Sequence, residues 1–260
     1  MRPFLFSAFG SGVKVTPEPV PSSDTFANLR VVLVAARNPL NIGAAARAMS
    51  NFGFMRLRVV NPYQVAFREA QSAVGATDLL ARAEEFPTVT EAVSDCSLVV
   101  GTTAIGNRQP QHPVRTLGPA AAIIRRRLAS APVALLFGSE KWGLSNDSLS
   151  HCHWLLHIPA RPQHRSMNLG QAVAVCLYEL ARTGPVRVSK EKSPAARSGT
   201  IERLTQTLLE ALHESGYINP RSEAVAEEKL RRLIRRMSLN AADAEVFLGM
   251  LHKIVRKLRQ

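Results

Sequence analysis

Short apolar runs alternate with longer amphipathic or alanine-rich segments over the first 183 residues. Apolar runs rich in β-branched residues and bounded by polar or chain-breaking residues predict buried strands, here at 30–36, 56–60, 97–103, 132–137 and 154–158. The segments between them predict helices, at 42–52, 66–83, 117–129 and 168–182. Strands that alternate with helices predict an α/β fold, a mostly parallel sheet that helices cover on both faces.

The pattern changes after residue 183. Residues 184–199 combine Gly, Pro, Ser and basic residues without periodicity, which predicts a linker. Residues 200–260 almost lack β-branched runs and predict three helices, near 201–215, 223–237 and 241–258. We therefore expect a tail at 1–25, an α/β domain at 26–183, the linker at 184–199 and a small all-α extension at 200–260.

Composition narrows the choice of partners and compartment. A net charge of +13 over 260 residues favours a polyanion, either nucleic acid or an acidic membrane face. No apolar run approaches the ~20 residues of a membrane span, so we expect no membrane insertion. The N-terminus has too short an apolar core for a secretory signal. The sequence has an odd number of cysteines, three, and they are widely spaced, at 96, 152 and 176. This pattern predicts a reduced, cytoplasmic protein without disulfides.

The first motif runs from Asn41 to Arg47, directly after the first predicted strand. Arg47 falls one helical turn after Gly43 and therefore shares a face with it. A guanidinium at a loop–helix junction can bind a phosphate through two parallel hydrogen bonds. The alternative is an exposed arginine on an amphipathic helix.

The second motif, Gly138-Ser139-Glu140-Lys141-Trp142-Gly143-Leu144, follows the strand at 132–137. A glycine directly after a buried strand lets the backbone approach a ligand closely. Glu140 could bind a hydroxyl or an amine, or cap the following turn. Gly101 and Thr102, at the end of another strand, could line the same pocket or form an ordinary polar strand end.

The third motif consists of Ile158-Pro159 and then Ser166-Met167-Asn168-Leu169, before the helix at 168–182. Ser166 can cap that helix, which is the structural alternative to a role in chemistry.

The three motifs, in this order and at these separations, resemble the TrmH-like ribose 2′-O-methyltransferases of the SPOUT class. The resemblance covers residues 30–183 and implies a C-terminal trefoil knot. It implies S-adenosylmethionine as cofactor and Arg47 as the catalytic arginine, with Asn41, Ser166 and Asn168 in the same site. The cofactor-binding positions it implies are Gly101, Thr102, Gly138, Glu140, Gly143, Leu144, Ile158, Ser166 and Met167, the last in place of the family's leucine.

The resemblance also implies a homodimer in which the arginine of one subunit completes the site of the other. The expected reaction is methylation of a tRNA ribose, at the pyrimidine of position 32 in the anticodon loop. One alternative is the same chemistry on rRNA, and another is a non-catalytic RNA-binding protein. A nucleotide-dependent oxidoreductase is disfavoured because no GxGxxG follows the first strand.

In the extension, Leu230, Leu233, Ile234 and Met237 are spaced to form a buried stripe. That spacing places Arg231, Arg232, Arg235 and Arg236 together on the opposite face, where they could bind RNA phosphates or form a solvated surface. The segment resembles the helical extension of tRNA-modifying members of the family.

The clustered residues His151, Cys152, His153, His157 and His164 lack the paired spacing of a zinc site, so we expect no metal.

Overall fold

The computed structural model describes residues 26–71, 77–104, 111–161, 163, 166–182, 193–219 and 222–260. The strands are β1 Leu29–Val34, β2 Leu57–Val60, β3 Glu84–Phe86, β4 Leu98–Thr103, β5 Val114–Thr116, β6 Val133–Phe137 and β7 Trp154–His157. The helices are α1 Pro39–Asn51, α2 Gln64–Gln71, α3 Thr77–Ala81, α4 Val89–Ala92, α5 Leu117–Leu128, α6 Asn146–Ser150, α7 Leu169–Arg182, α8 Ser198–Glu214, α9 Glu223–Met237 and α10 Ala241–Leu258.

Within the described ranges the strands form one sheet in the order β3-β2-β1-β6-β4-β7-β5. Every pairing between neighbouring strands is parallel, which confirms the predicted α/β class. The prediction missed β3 and β5, which are three residues long and form the two edges of the sheet. Their charged sequences, EEF and VRT, contain no apolar run that could identify a strand.

Helices cover both faces of the sheet because successive strand residues point to opposite sides. Leu29, Val31 and Leu33 of β1 belong to the larger apolar core, which α1, α5 and α7 cover. Val32 and Val34 belong to the core on the other face, with residues of α4 and of the segment around α6. The sheet is therefore the centre of a three-layer domain.

The helix predicted at 66–83 corresponds to α2, Gln64–Gln71, and α3, Thr77–Ala81, and its predicted end at 83 is two residues too late. Residues 72–76 lie outside the described part of the chain. The predicted tail at 1–25, residue 183 and residues 184–192 of the predicted linker also lie outside it. No helix among the described residues has both the length and the apolar character needed to cross a membrane.

The three C-terminal helices share a core of their own, with Ile201 and Leu204 of α8 against Ile234 of α9 and Leu248 and Leu251 of α10. The ordered structure begins before the predicted boundary at 200. Ala195 forms a β-bridge with Asn240, and Ala196 is 4% exposed. The end of the predicted linker is thus part of this helical unit.

Helix α9 does not present all four of its central arginines to solvent, so the prediction of one exposed basic face is wrong. Arg231 is 4% exposed and Arg235 is 2% exposed, whereas Leu233 and Met237, predicted to be buried, are 47% and 48% exposed. The spacing of the apolar residues predicted the wrong buried face, because the surface that α9 packs against is itself polar. Only Arg232 and Arg236 of the four are accessible to a large partner, Arg232 partly and Arg236 freely.

A buried cluster around Arg231 joins α8 to α9 by an ion pair and joins α9 to the α/β domain by a hydrogen bond. The Arg231 guanidinium donates to Glu202 of α8 at 2.9 Å and to the Ser150 hydroxyl of α6 at 2.9 Å. Arg235 donates to the Ser198 hydroxyl at 3.2 Å. Burial disfavours the charged form of Glu202, but hydrogen bonds from Arg231 lower its pKa below the usual value. His151, beside this cluster, has a pKa of about 3, because burial and the charges of Arg231 and Arg235 oppose its protonation.

Replacing Arg231 with methionine should lower the free energy of unfolding by about 3–5 kcal/mol, because Glu202 is left buried without its partner. The control is Arg203→Ala, since the Arg203–Glu245 pair joins α8 to α10 with side chains that are 64% and 60% exposed. That change should cost less than about 1 kcal/mol. Urea denaturation of both variants checks this, and equal losses would contradict a buried, structural role for Arg231.

Candidate functional site

The segments that carry the three motifs meet at the carboxyl ends of the central strands. Strands β1, β6, β4 and β7 are neighbours in that order and all run parallel. Their carboxyl ends therefore lie side by side, and ligands of open α/β sheets bind at that edge. Residues 35–41 follow β1, 138–144 follow β6, Gly101 and Thr102 end β4, and Ile158 follows β7.

A hydrogen-bond network joins the three motifs. The Asn41 amide donates to the Glu140 carboxylate at 3.1 Å. The Asn168 amide in turn donates to the Asn41 side-chain oxygen at 2.7 Å. Glu140 also accepts the backbone N–H groups of Arg37 and Asn38, each at 3.1 Å. Sequence positions about 100 and 127 residues apart are thus fixed within one polar site.

Glu140 is ionised in this network. Partial burial disfavours its charge, but hydrogen bonds from backbone N–H groups and from Asn41 lower its pKa below the usual value. The carboxylate is turned towards the loop before α1, so its observed contacts are with the protein. Sequence reasoning missed the two donors of that loop, Arg37 and Asn38. Asn38-Pro39 indicated only that the strand breaks there, although Asn38 also caps α1 by accepting from Leu40 at 2.9 Å.

Asn168 fixes the start of α7. Its side-chain oxygen accepts the backbone N–H groups of Gly170 at 2.9 Å and Gln171 at 3.3 Å, which are otherwise unpaired at a helix N-terminus. Asn168, and not Ser166, is therefore the cap that the structure records. A Cβ at Gly170 would lie 2.6 Å from the Ala44 Cβ, so this glycine lets α7 approach α1 closely.

The segment from Gly138 to Leu144 folds back on itself as a tight turn. Gly143 donates its N–H to the Ser139 carbonyl at 2.8 Å, and the two residues form a β-bridge. A Cβ at Gly138 would lie 2.1 Å from the Gly143 carbonyl carbon, and Gly143 itself has φ +68°. Both positions therefore require glycine, one for space and one for backbone conformation. Leu144 is 3% exposed in the core, so only its backbone faces the site.

The remaining predicted residues surround this centre. The Thr102 hydroxyl donates to the Leu136 carbonyl at 2.9 Å, which ties the end of β4 to β6. Gly101 is buried against Leu144, and Ile158 is half-buried against the larger core. Arg47 is exposed on α1, whose opposite face is buried, and Ser166 and Met167 are exposed before α7.

The clustered histidines have structural positions. His153 accepts the Val99 N–H at 3.1 Å, and His157 ends β7 within 3.2 Å of the Thr103 carbonyl. His164 lies outside the described residues. In the part of the chain that the structure describes, no group of three or more His, Cys, Asp or Glu residues could hold a metal ion.

Comparisons with known proteins agree with this geometry. The profile of the SpoU rRNA Methylase family matches residues 28–178. A tRNA (cytidine/uridine-2′-O-)-methyltransferase TrmJ of Yersinia pestis is 36% identical over 241 residues, covering 88% of this chain and 92% of that protein. Its namesake in Pectobacterium atrosepticum is 35% identical, covering 87% and 96%. The crystal structure of TrmJ from Z. mobilis superposes with a TM-score of 0.74 at 32% identity, covering 86% of this chain and 98% of that one.

The fold and the site thus define an S-adenosylmethionine-dependent RNA methyltransferase. More specifically, the chain belongs to the SpoU methylase family. A putative methylase of Neisseria gonorrhoeae has the same fold, with a TM-score of 0.63 at 28% identity.

Replacing Gly138 with alanine should weaken S-adenosylmethionine binding at least about tenfold, because the new methyl group forces the turn away from Leu144. Overpacking of this kind also costs roughly 1–3 kcal/mol of stability. Gly118→Ala is the matched control, since nothing lies within 4 Å of its Cβ position. Calorimetric titration with the cofactor checks both variants. Wild-type affinity in Gly138→Ala would contradict the assignment of this turn to the cofactor.

Proposed function

We propose that the chain transfers a methyl group from S-adenosylmethionine to a ribose 2′-hydroxyl of tRNA. The main support for a tRNA substrate is the extent of the match to the relatives named TrmJ. The match covers 88% of the chain, so it extends beyond the family domain at 28–178 and includes part of the C-terminal helices. The family name alone would fit an rRNA substrate equally well. The relatives' names favour a pyrimidine, and we propose position 32 of the anticodon loop.

The residues at the sheet edge fit the cofactor. The turn Gly138–Leu144 offers a closely folded backbone, Gly101 and Thr102 end the neighbouring strand, and Ile158 gives an apolar wall. Backbone groups of residues 166–168 complete the pocket at the start of α7. The bound cofactor supplies a methyl group: a carbon–oxygen bond forms at the ribose, the carbon–sulfur bond breaks, and the hydroxyl proton passes to water.

Arg47 acts on the RNA in this proposal. A guanidinium stays charged in proteins, which makes it a poor base but a strong phosphate ligand. It therefore binds the target phosphate and stabilises the negative charge that develops on the ribose oxygen. Asn41 and Asn168 hold α1 and α7 in register, so that Arg47, Ser166 and the cofactor pocket keep a fixed geometry.

Arg47→Ala should lower methyl transfer to unmodified tRNA at least about 100-fold, because a charge-stabilising donor is lost. Arg56→Ala, at an exposed arginine before β2, should retain wild-type activity. The assay uses labelled S-adenosylmethionine with bulk tRNA and, separately, rRNA, and nucleoside mass spectrometry of RNase fragments locates the modified ribose.

Label confined to rRNA would overturn the tRNA substrate while keeping the chemistry. Failure of the wild type to bind the cofactor would favour a non-catalytic RNA-binding protein. Label in tRNA at a nucleotide other than position 32 would overturn only the assigned position.

We also propose that the C-terminal helices form an RNA-binding extension whose contacts come from Arg232 and Arg236. The charges of these two arginines, after burial, help to lower the pKa of His112 to about 4, so they lie beside the start of β5. The buried Arg231–Glu202 pair joins α8 to α9, and the hydrogen bond from Arg231 to Ser150 ties α9 to α6. We therefore expect Arg236 and the partly buried Arg232 to keep their position relative to the proposed cofactor-binding turn, residues 138–144, which leads directly into α6.

The trefoil knot belongs to the same proposal. After β7 the chain returns to α1, where α7 packs with Gly170 against Ala44. We propose that α7 is the threaded helix of the family's trefoil knot, and its packing against α1 supports this. The compartment proposed is the cytoplasm, which suits three cysteines that are all unpaired and buried.

We further propose a homodimer whose subunits meet through the α1–α7 pair. Large apolar side chains are exposed on these helices, with Leu40 79%, Tyr178 53% and Val175 36% exposed. Isolated apolar residues are ordinary on protein surfaces, but several on one helix pair beside the site favour a covered face.

Mixing two inactive variants tests whether the subunits share their sites. Arg47→Ala and Ser166→Ala should each be inactive alone. After joint denaturation and refolding, random pairing should restore about a quarter of the wild-type activity if each site combines Arg47 of one subunit with Ser166 of the other. No recovery, with heterodimers demonstrated by tagged purification, would place both residues in the same chain's site.

A further inference from the structure

The cofactor turn carries an exposed tryptophan that the chemistry described so far does not use. Trp142 is 71% exposed, whereas Trp154, the only other tryptophan in the sequence, is 7% exposed. An indole is a large apolar surface, and its exposure beside a functional site indicates a binding role more often than its exposure elsewhere.

The turn holds Trp142 on a short and well-defined backbone. The backbone N–H of Trp142 donates to the Ser139 hydroxyl at 3.3 Å, and Ser139 also forms a β-bridge with Gly143. The close approach of Gly143 to Gly138 leaves this turn little room to move. A partner that binds the indole therefore does not have to order the backbone first, which lowers the entropic cost of association.

The surroundings of the indole are cationic. The Lys141 ammonium lies 4.9 Å from the centre of the Trp142 ring. Glu140, two residues before the tryptophan, accepts the backbone N–H of Arg37, an exposed residue whose guanidinium lies 5.4 Å from the centre of the Tyr63 ring. Glu140 itself is engaged by Arg37, Asn38 and Asn41, so its charge is already satisfied within the protein. Basic residues beside an exposed aromatic ring are typical of surfaces that bind single-stranded nucleic acid.

We propose that Trp142 stacks on an unpaired nucleobase next to the target nucleotide and so helps to place the ribose at the site. This inference rests on the proposed RNA methyltransferase function and adds a residue that recognises the substrate's single-stranded loop. Stacking accepts any base, because every base has a π face, so Trp142 selects for an unpaired conformation and not for a sequence. A paired base in a duplex has both faces covered and offers no such surface.

The test compares Trp142→Ala and Trp142→Phe with the wild type. Loss of a stacked base should raise the KM for tRNA about tenfold or more in Trp142→Ala, with partial recovery in Trp142→Phe. Cofactor affinity by calorimetry should be unchanged in both variants, since the indole is 71% exposed and the turn is held by backbone and Ser139 contacts that both variants keep. Met55→Ala is the matched control, because Met55 is 49% exposed just before β2, at the amino ends of the strands and so away from the site. The KM of this variant for tRNA should remain at the wild-type value.

Fluorescence gives a second readout that does not depend on turnover. Titration with an anticodon stem-loop RNA should quench the emission of the exposed Trp142, and the quenching should vanish in Trp142→Phe, which keeps only the buried Trp154. An unchanged KM together with absent quenching would overturn the proposal. A shift of Trp142→Ala from dimer to monomer in light scattering would also overturn it, by assigning the indole to a second copy of the chain. If the wild type methylates no tRNA, the proposed function fails, and the titration still decides whether Trp142 contacts RNA.

Discussion

The site depends on one short chain of hydrogen bonds, from Glu140 through Asn41 to Asn168. Each member belongs to a different segment, and each segment alone would be a surface loop or a helix start. Glu140 binds the loop before α1, Asn41 lies in the first turn of that helix, and Asn168 caps α7. Because each of these hydrogen bonds has its two partners on different segments, the three segments hold one another in place. Arg47, the cofactor turn and the residues before α7 inherit their relative positions from this network.

A second polar cluster, around Arg231 and Glu202, holds the C-terminal helices in position, as the first network holds the segments of the site. At its centre the Arg231 guanidinium pairs with the Glu202 carboxylate, a buried contact that is costly to separate. The two clusters lie at either end of one continuous segment, the turn at 138–144 and helix α6. The position of the extension and the shape of the cofactor turn are therefore set by the same stretch of chain.

The sequence predicted the strands that are buried on both faces, since β1, β4, β6 and β7 are apolar runs between clear breakers. It did not predict β3 or β5, whose charged residues reveal pairing only in the folded sheet. The motifs identified Asn41, Glu140 and Asn168 as site residues, but not that they bond to one another, because long-range contacts leave no periodic signal. The arginines of α9 were assigned to the wrong face for a related reason: Arg231 and Arg235 are buried against a polar partner surface that spacing rules cannot detect.

The central claim, that these three side chains act as one unit, is tested most directly by a double-mutant cycle. The kcat/KM for tRNA methylation would be measured for Glu140→Ala, Asn168→Ala and the double variant. We predict that each single change lowers kcat/KM about tenfold or more. The double variant should be no less active than the less active of the two single variants, because either change breaks the same network. Losses that multiply in the double variant would show independent roles and contradict the account.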